Sequence, residues 1–175
     1  DMVMCFWGAP MPQEDHALAA CRCSLAQVRK LDELNASWPA ERRIHIGIGL
    51  NTGIMTVGNM GSHVRMNYTL LGDNVNIGSR LEGITKQYGV GILATQPTVD
   101  ADPVHAFMKV DVVRVKGKET PVAIYQPLGR KGELSEQAQM IARLFEAAFA
   151  RYQSQDWDEA AKMLNELELI SHKMT

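Results

Sequence analysis

Tyr68-Thr69-Leu70-Leu71-Gly72-Asp73-Asn74-Val75-Asn76-Ile77-Gly78-Ser79-Arg80-Leu81-Glu82 carries the most structural information in the chain. Tyr68 to Leu71 read as a strand, Gly72 breaks it, and Asp73 is expected to be the N-cap of a helix. Asn76 and Arg80 then fall four residues apart, on one face of the first turns. A carboxamide and a guanidinium held side by side at a helix start suit a polyanionic ligand that also needs a positioned sugar or leaving group.

Working outward, Ile44, Ile46, Ile48 and Leu50 alternate with His45, Gly47 and Gly49, the pattern of a half-buried strand. Asn51-Thr52-Gly53 is expected to turn into a second strand through Val57, and Gly58 to Ser62 to form a glycine-rich loop. Met2 to Trp7 is an apolar run closed by Gly8-Ala9-Pro10, which predicts a buried strand. Between these, Ala17, Leu18, Cys21, Leu25, Val28, Leu31 and Leu34 recur at helical spacing, and Ser37 to Pro39 end the pattern.

On the other side of the opening run, the helix is expected to end at Gly89 with Ile77, Leu81, Ile84 and Tyr88 as its buried stripe. Val90 to Thr95 predict a strand, Pro97 to Pro103 a loop, and Phe107 to Val115 and Pro121 to Gln126 two strands flanking Lys116-Gly117-Lys118. Hairpins mixed with crossovers predict an α+β fold with a mostly antiparallel sheet. After Pro127 the pattern is purely helical with a break near Gln155-Asp156, so the chain divides into a domain over 1–127 and a helical hairpin over 128–175. The hairpin's Phe, Ala, Tyr, Trp-Asp-Glu-Ala pattern resembles one tetratricopeptide unit, although such units gain stability by stacking on neighbours. The plainer reading is a pair of helices packed on the domain or on a partner.

Composition narrows the class of protein. The chain has 175 residues, 46% apolar and 22% charged, which is ordinary for a globular domain. A formal net charge of −2 gives no general electrostatic case for nucleic acid or an anionic membrane. Three cysteines make no disulfide framework: Cys5 reads as a small hydrophobe in a strand, and Cys21 and Cys23 point to different helix faces and so chelate poorly together. This usage predicts a reducing, cytoplasmic setting. No stretch approaches the roughly 18 consecutive apolar residues of a membrane span. Asp1 opens directly onto a strand pattern, which reads as a piece of a longer chain, with any membrane attachment lying upstream.

The glycines at 47, 49, 53, 58 and 61 fit neither a P-loop nor a dinucleotide fingerprint, and are expected to serve turns and close strand contacts. The five histidines show no metal-ligand spacing, and no Ser-His-Asp arrangement is suggested.

The opening run closely resembles the signature of class III nucleotide cyclases, which convert a nucleoside triphosphate into a 3′,5′-cyclic monophosphate. Asp1 followed by Met2-Val3-Met4-Cys5-Phe6-Trp7-Gly8-Ala9-Pro10, and the Lys116-Gly117-Lys118 segment, resemble further family motifs in the family's order, so the likeness spans about residues 1 to 127. It implies a ferredoxin-like sheet layered with helices and a head-to-tail homodimer with a shared cleft. Asp1 would be one of two carboxylates holding two divalent metal ions, magnesium or manganese. The family's other aspartate, and a purine-reading lysine, would lie upstream of Asp1.

The resemblance further implies that Asn76 orients the ribose and Arg80 stabilises charge on the transferring phosphate. Lys116, with Lys118 in reserve, would reach the triphosphate, since a flexible ammonium acts as a point charge from either place. Thr69 stands where adenylate-type members carry Asp or Thr, and its hydroxyl suits an adenine amino group. The likeness puts Thr69 with the Asn76 half of the cleft, opposite Asp1, and Gly78 where relatives often carry alanine. The expected activity is therefore adenylate cyclase, with ATP as substrate and pyrophosphate as second product, although a lone subunit should be inactive. A non-catalytic cyclase-homology module for dimerisation or regulation is the alternative. A cyclic-dinucleotide synthase is set aside because no Gly-Gly-Asp/Glu-Glu-Phe element is present.

Overall fold

The computed structural model describes residues 2–114 and 120–172. Helix α1 (His16–Ala36) is followed by a short 3-10 turn at 40–42, strand β1 (Ile48–Leu50), and a hairpin of β2 (Thr56–Gly61) and β3 (Met66–Leu71). Helix α2 (Asp73–Tyr88), strand β4 (Ile92–Thr95), short helix α3 (Gln96–Asp100), strands β5 (His105–Val113) and β6 (Val122–Arg130), and helices α4 (Glu136–Gln153) and α5 (Trp157–His172) complete the order. The main sheet runs β1-β4-β6-β5, and β2-β3 form a separate two-stranded sheet. Among the described residues only β1 and β4 pair in parallel, joined by the crossover through the hairpin and α2; the other pairings are antiparallel. The α+β class and mostly antiparallel sheet read from the sequence are therefore observed.

Strand β4 is buried along its whole length because both faces of the sheet are covered. Ile92 and Ala94 join Leu50, Ala20 and Cys21 in a cluster under α1, whereas Leu93 joins Ile77, Leu81, Val110 and Ile124 under α2. Period-two alternation thus divides one strand between two cores. In β1 the same alternation puts Ile48 and Leu50 toward α1 and leaves Gly49 against α2, where a Cβ would strike the Gly78 carbonyl oxygen. Here the glycine serves close strand–helix approach, as its spacing suggested.

Four local expectations are corrected. Met2 to Trp7 form no strand among the described residues; Met2 and Val3 are largely exposed, while Phe6 lies 6.0 Å from the Tyr68 ring and Trp7 packs on the α1 cluster. An apolar run signals burial but cannot name the strand that would hydrogen-bond to it. The strand expected over Ile44 to Leu50 begins only at Ile48, because the Asn35 side chain takes both the N–H (2.9 Å) and the C=O (2.8 Å) of Ile44. Gly58 to Gly61 lie inside β2 rather than in a loop, paired with Met66 to Thr69, and α3 occupies part of the expected Pro97–Pro103 loop.

The C-terminal helices pack on each other, and α4 packs against β5: the Lys109 ammonium lies 5.8 Å from the Phe149 ring centroid, and the Lys109 N–H donates to Glu146. Buried Ala148 and Ala160 bring the two helices close, and Gln155, in a left-handed conformation, turns the chain at the predicted break. No helix among the described residues is long and apolar enough to cross a membrane.

Candidate functional site

Strand β3 delivers the chain to α2 through Gly72, whose φ of 143° is open to glycine and costly for other residues. Gly72, not Asp73, is the N-cap; its carbonyl accepts from the N–H groups of Val75 and Asn76. Asp73 is the first helical residue, where its carboxylate complements the helix dipole rather than capping through its side chain. At the other end Gly89 adopts the left-handed C-cap conformation, as predicted.

Helix geometry sorts the side chains of α2 onto three faces. Ile77, Leu81 and Thr85 are buried toward the sheet, with Ile84 and Tyr88 packed beside them. Asn74, Val75, Gly78, Ser79 and Glu82 line a cavity of about 490 Å³ that also touches the Met2 to Ala9 segment. Asn76 (exposed) and Arg80 (half-buried) occupy the remaining face, roughly opposite the cavity, and neither makes a side-chain hydrogen bond or ion pair among the described residues. Thr69 lies on β3, three residues before the Gly72 turn, half-buried and paired with Gly58.

The structure thus brings Asn76 and Arg80 together on one helix face and places Thr69 on the strand that feeds that helix. The cavity is lined by none of these three residues. Its lining is mainly apolar (Met4, Trp7, Ala20, Leu50, Val57, Leu70), and the described residues bring to it none of the convergent cations that a triphosphate requires. Asp1, Lys116 and Lys118 lie outside the described residues.

Two residues that the sequence reading treated only as turn and helix-start residues hold α2 in place. The Asn51 Nδ2 donates to the Asn74 carbonyl oxygen at 2.8 Å, and its Oδ1 accepts from the Thr95 hydroxyl at 2.6 Å. The Asn74 Nδ2 in turn donates to the Ile54 carbonyl at 3.0 Å. One side chain at the end of β1 therefore ties the first turn of α2 to β4, and a second ties it to the segment before β2. An asparagine between a strand and a glycine looks like a turn former, and only the fold shows what its amide reaches.

Residues 1–127 match the family described as adenylate and guanylate cyclase catalytic domain. The chain is 36% identical over 132 residues to adenylate cyclase 1 of Rhizobium meliloti (strain 1021), covering 74% of this chain and 20% of that protein. It is 40% identical over 88 residues to an adenylate cyclase of Anabaena cylindrica, covering 48% of this chain and 18% of that one. Among solved structures, the adenylyl cyclase CyaB from P. aeruginosa superposes with a TM-score of 0.64 at 33% identity, over 74% of this chain and 68% of that one. The guanylyl cyclase Cya2 superposes with a TM-score of 0.61, also at 33% identity, over 74% and 66%. The chain belongs to the class III adenylate/guanylate cyclase family. It spans about a fifth of the length of the Rhizobium and Anabaena relatives.

Proposed function

We propose that this chain is the C-terminal portion of an adenylate cyclase domain, converting ATP into 3′,5′-cyclic AMP and pyrophosphate in cyclic-nucleotide signalling. The observation that carries the proposal is the pair Asn76 and Arg80, adjacent on one face of α2, turned from the core and unengaged among the described residues. An arginine left without a carboxylate partner on a rigid helix can receive a phosphate oxygen bidentately. Asn76, one turn earlier, supplies a donor and an acceptor for a ribose.

In the proposed reaction the ribose 3′ oxygen attacks the α-phosphorus in line and pyrophosphate leaves. Arg80 stabilises charge on the transferring phosphate, and Asn76 holds the ribose so that the 3′ oxygen points at phosphorus. Thr69 offers a hydroxyl to the adenine amino group; the equal 33% identity to an adenylyl and a guanylyl cyclase structure leaves the base choice resting on this residue. Lys116 or Lys118 would meet the β- and γ-phosphates. Two divalent metal ions, magnesium or manganese, would neutralise phosphate charge and lower the pKa of the attacking hydroxyl. Asp1 is the carboxylate proposed for them.

A head-to-tail homodimer is part of the proposal. The β2–β3 hairpin and its approaches expose Ile54 (94%), Val64 (96%) and Met66 (62%), an apolar surface of the kind that subunit contacts cover. The boundary at 127/128 and the tetratricopeptide likeness of the α4–α5 pair likewise remain proposals; β6 itself continues to Arg130.

The decisive assay is ATP turnover with manganese, for this chain and for a version extended upstream through the family's first aspartate. Cyclic AMP from the extended protein supports the proposal, and its absence refutes the enzymatic reading. An ATP analogue bound without turnover would establish the regulatory module instead.

A further inference from the structure

Three side chains of ligand type meet in the core on the α1 side, on elements that carry none of the residues proposed for ATP. Cys21, wholly buried, comes from the middle of α1; Asp102 (1% exposed) and His105 (5%) come from the corner between α3 and β5. One ligand atom from each, a sulfur, a carboxylate oxygen and an imidazole nitrogen, lie within 4.8 Å of one another. Residue spacing alone showed no metal motif here, because Cys21 is some eighty residues from the other two.

The carboxylate is held in a particular way. Asp102 Oδ1 accepts the backbone N–H groups of Val104 (3.0 Å) and His105 (3.1 Å), which pins the group at the corner. Asp102 Oδ2 lies 2.6 Å from His105 Nδ1, and a carboxylate oxygen of Asp102 lies within 4.8 Å of the Cys21 sulfur. Burying a carboxylate, an imidazole and a thiol together is costly compared with an apolar corner, unless their mutual interactions or a ligand compensate.

We propose that Cys21, Asp102 and His105 form a buried binding site for a thiophilic divalent transition metal of the zinc class, separate from the metal ions of the cyclase reaction. The donor set of one sulfur, one nitrogen and one oxygen is of the type zinc takes. Charge supports the same assignment: a thiolate, a carboxylate and a neutral imidazole exactly offset a 2+ ion, so the loaded centre is neutral in a low-dielectric core. The two backbone N–H groups on Oδ1 are the outer contacts that orient a ligating carboxylate.

Loading exchanges the ion for protons. The Cys21 S–H proton leaves to solvent, and a proton on His105 Nδ1 moves to Nε2, or to solvent where Nε2 already carries one, so that the imidazole is neutral and its Nδ1 lone pair meets the metal. The 2.6 Å contact between Oδ2 and Nδ1 opens to roughly 3.3 Å when both bind one tetrahedral ion, a movement under 1 Å. Without metal, burial first, and then the hydrogen bond and charge of Asp102, push the Cys21 thiol up and keep it protonated. Metal uptake should therefore strengthen as pH rises. The ion would tie α1 to the α3–β5 corner.

The test uses the full chain, stripped with a chelator and titrated with cobalt(II) as the spectroscopic probe. A Cys5→Ser/Cys23→Ser double variant, altered outside the buried core, leaves Cys21 as the sole thiol. The expected result is a thiolate-to-cobalt charge-transfer band saturating near one equivalent, in this double variant as in the wild type, bleached by added zinc. Zinc alone should raise the thermal midpoint by several degrees, and Cys21→Ser should abolish the band. A folded double variant with no charge-transfer band overturns the proposal. So does a wild-type band that disappears when Cys5 and Cys23 are replaced.

Discussion

Gly49 and Gly78 face each other across the contact between β1 and α2, and a methyl group added to each should act in opposite directions. At Gly49 the new Cβ would strike the Gly78 carbonyl oxygen and lie 2.6 Å from the Glu82 nitrogen and 2.9 Å from the Leu81 Cβ. The first two are helix backbone atoms, which cannot swing aside, so the helix must move away from the strand. Overpacking of this kind costs about 1–3 kcal/mol. At Gly78 the Cβ would meet the Gly49 carbonyl oxygen at 3.8 Å and the Asn51 Cβ at 3.9 Å, ordinary van der Waals contacts. Gly78→Ala therefore gains the helix preference of alanine over glycine, about 0.5–1 kcal/mol, without a steric cost.

For a chain of this size a change of 1 kcal/mol moves the thermal midpoint by about 2–4 °C. Gly78→Ala should raise it by about 1–4 °C, and Gly49→Ala should lower it by about 2–12 °C. Circular dichroism melts and urea titrations on purified variants read both. A Gly49→Ala protein as stable as wild type would refute the described approach of strand and helix. A Gly78→Ala protein destabilised by more than about 1 kcal/mol would refute the open space at that position.

Replacing Arg80 with alanine should reduce cyclic AMP formation by the active dimer roughly a hundredfold or more while leaving the melting curve unchanged, since electrostatic groups aimed at developing charge contribute a few kcal/mol to catalysis; equal activity would remove Arg80 from the site. Asn51→Ala leaves the buried Thr95 hydroxyl short of its acceptor and frees the first turn of α2, for an expected loss of about 1–3 kcal/mol by urea denaturation. The same variant should lower turnover more than it raises KM, because Asn76 lies on that turn and Arg80 one turn beyond it. Tyr88 donates to Asp111 at 2.5 Å, and burial first, then that bond and the Asp111 charge, push its hydroxyl up to about 12 from the ordinary 10. Its contribution to stability is therefore complete below pH 10 and disappears as pH rises from 10 to 12. Between those values wild type should lose stability faster than Tyr88→Phe, and parallel curves would exclude the Tyr88 contribution.

Helix α2 could be read in the sequence nearly to the residue. Its apolar stripe, the glycine that ends it and the shared face of Asn76 and Arg80 all follow from a 3.6-residue period and local cap chemistry. The start was read one residue late, because Asp73 is the usual capping type while the backbone at Gly72 needs a glycine. The sheet was legible as a set of strands but less so at its edges. Whether Ile44 joins a ladder depends on Asn35, nine residues earlier in the chain, whose amide occupies its backbone groups.

The sequence by itself determined the family, the helix–strand plan and the pairing of Asn76 with Arg80, because these depend on period, spacing and short-range turn chemistry. Tertiary structure alone decided which backbone and side-chain groups find each other over long separations. It left Met2 to Trp7 without a strand partner among the described residues, joined Asn51 to both α2 and β4, and brought Cys21 to Asp102 and His105. The physical reason is that a buried polar group must be satisfied by whatever the fold carries to it, and that partner has no fixed offset along the chain.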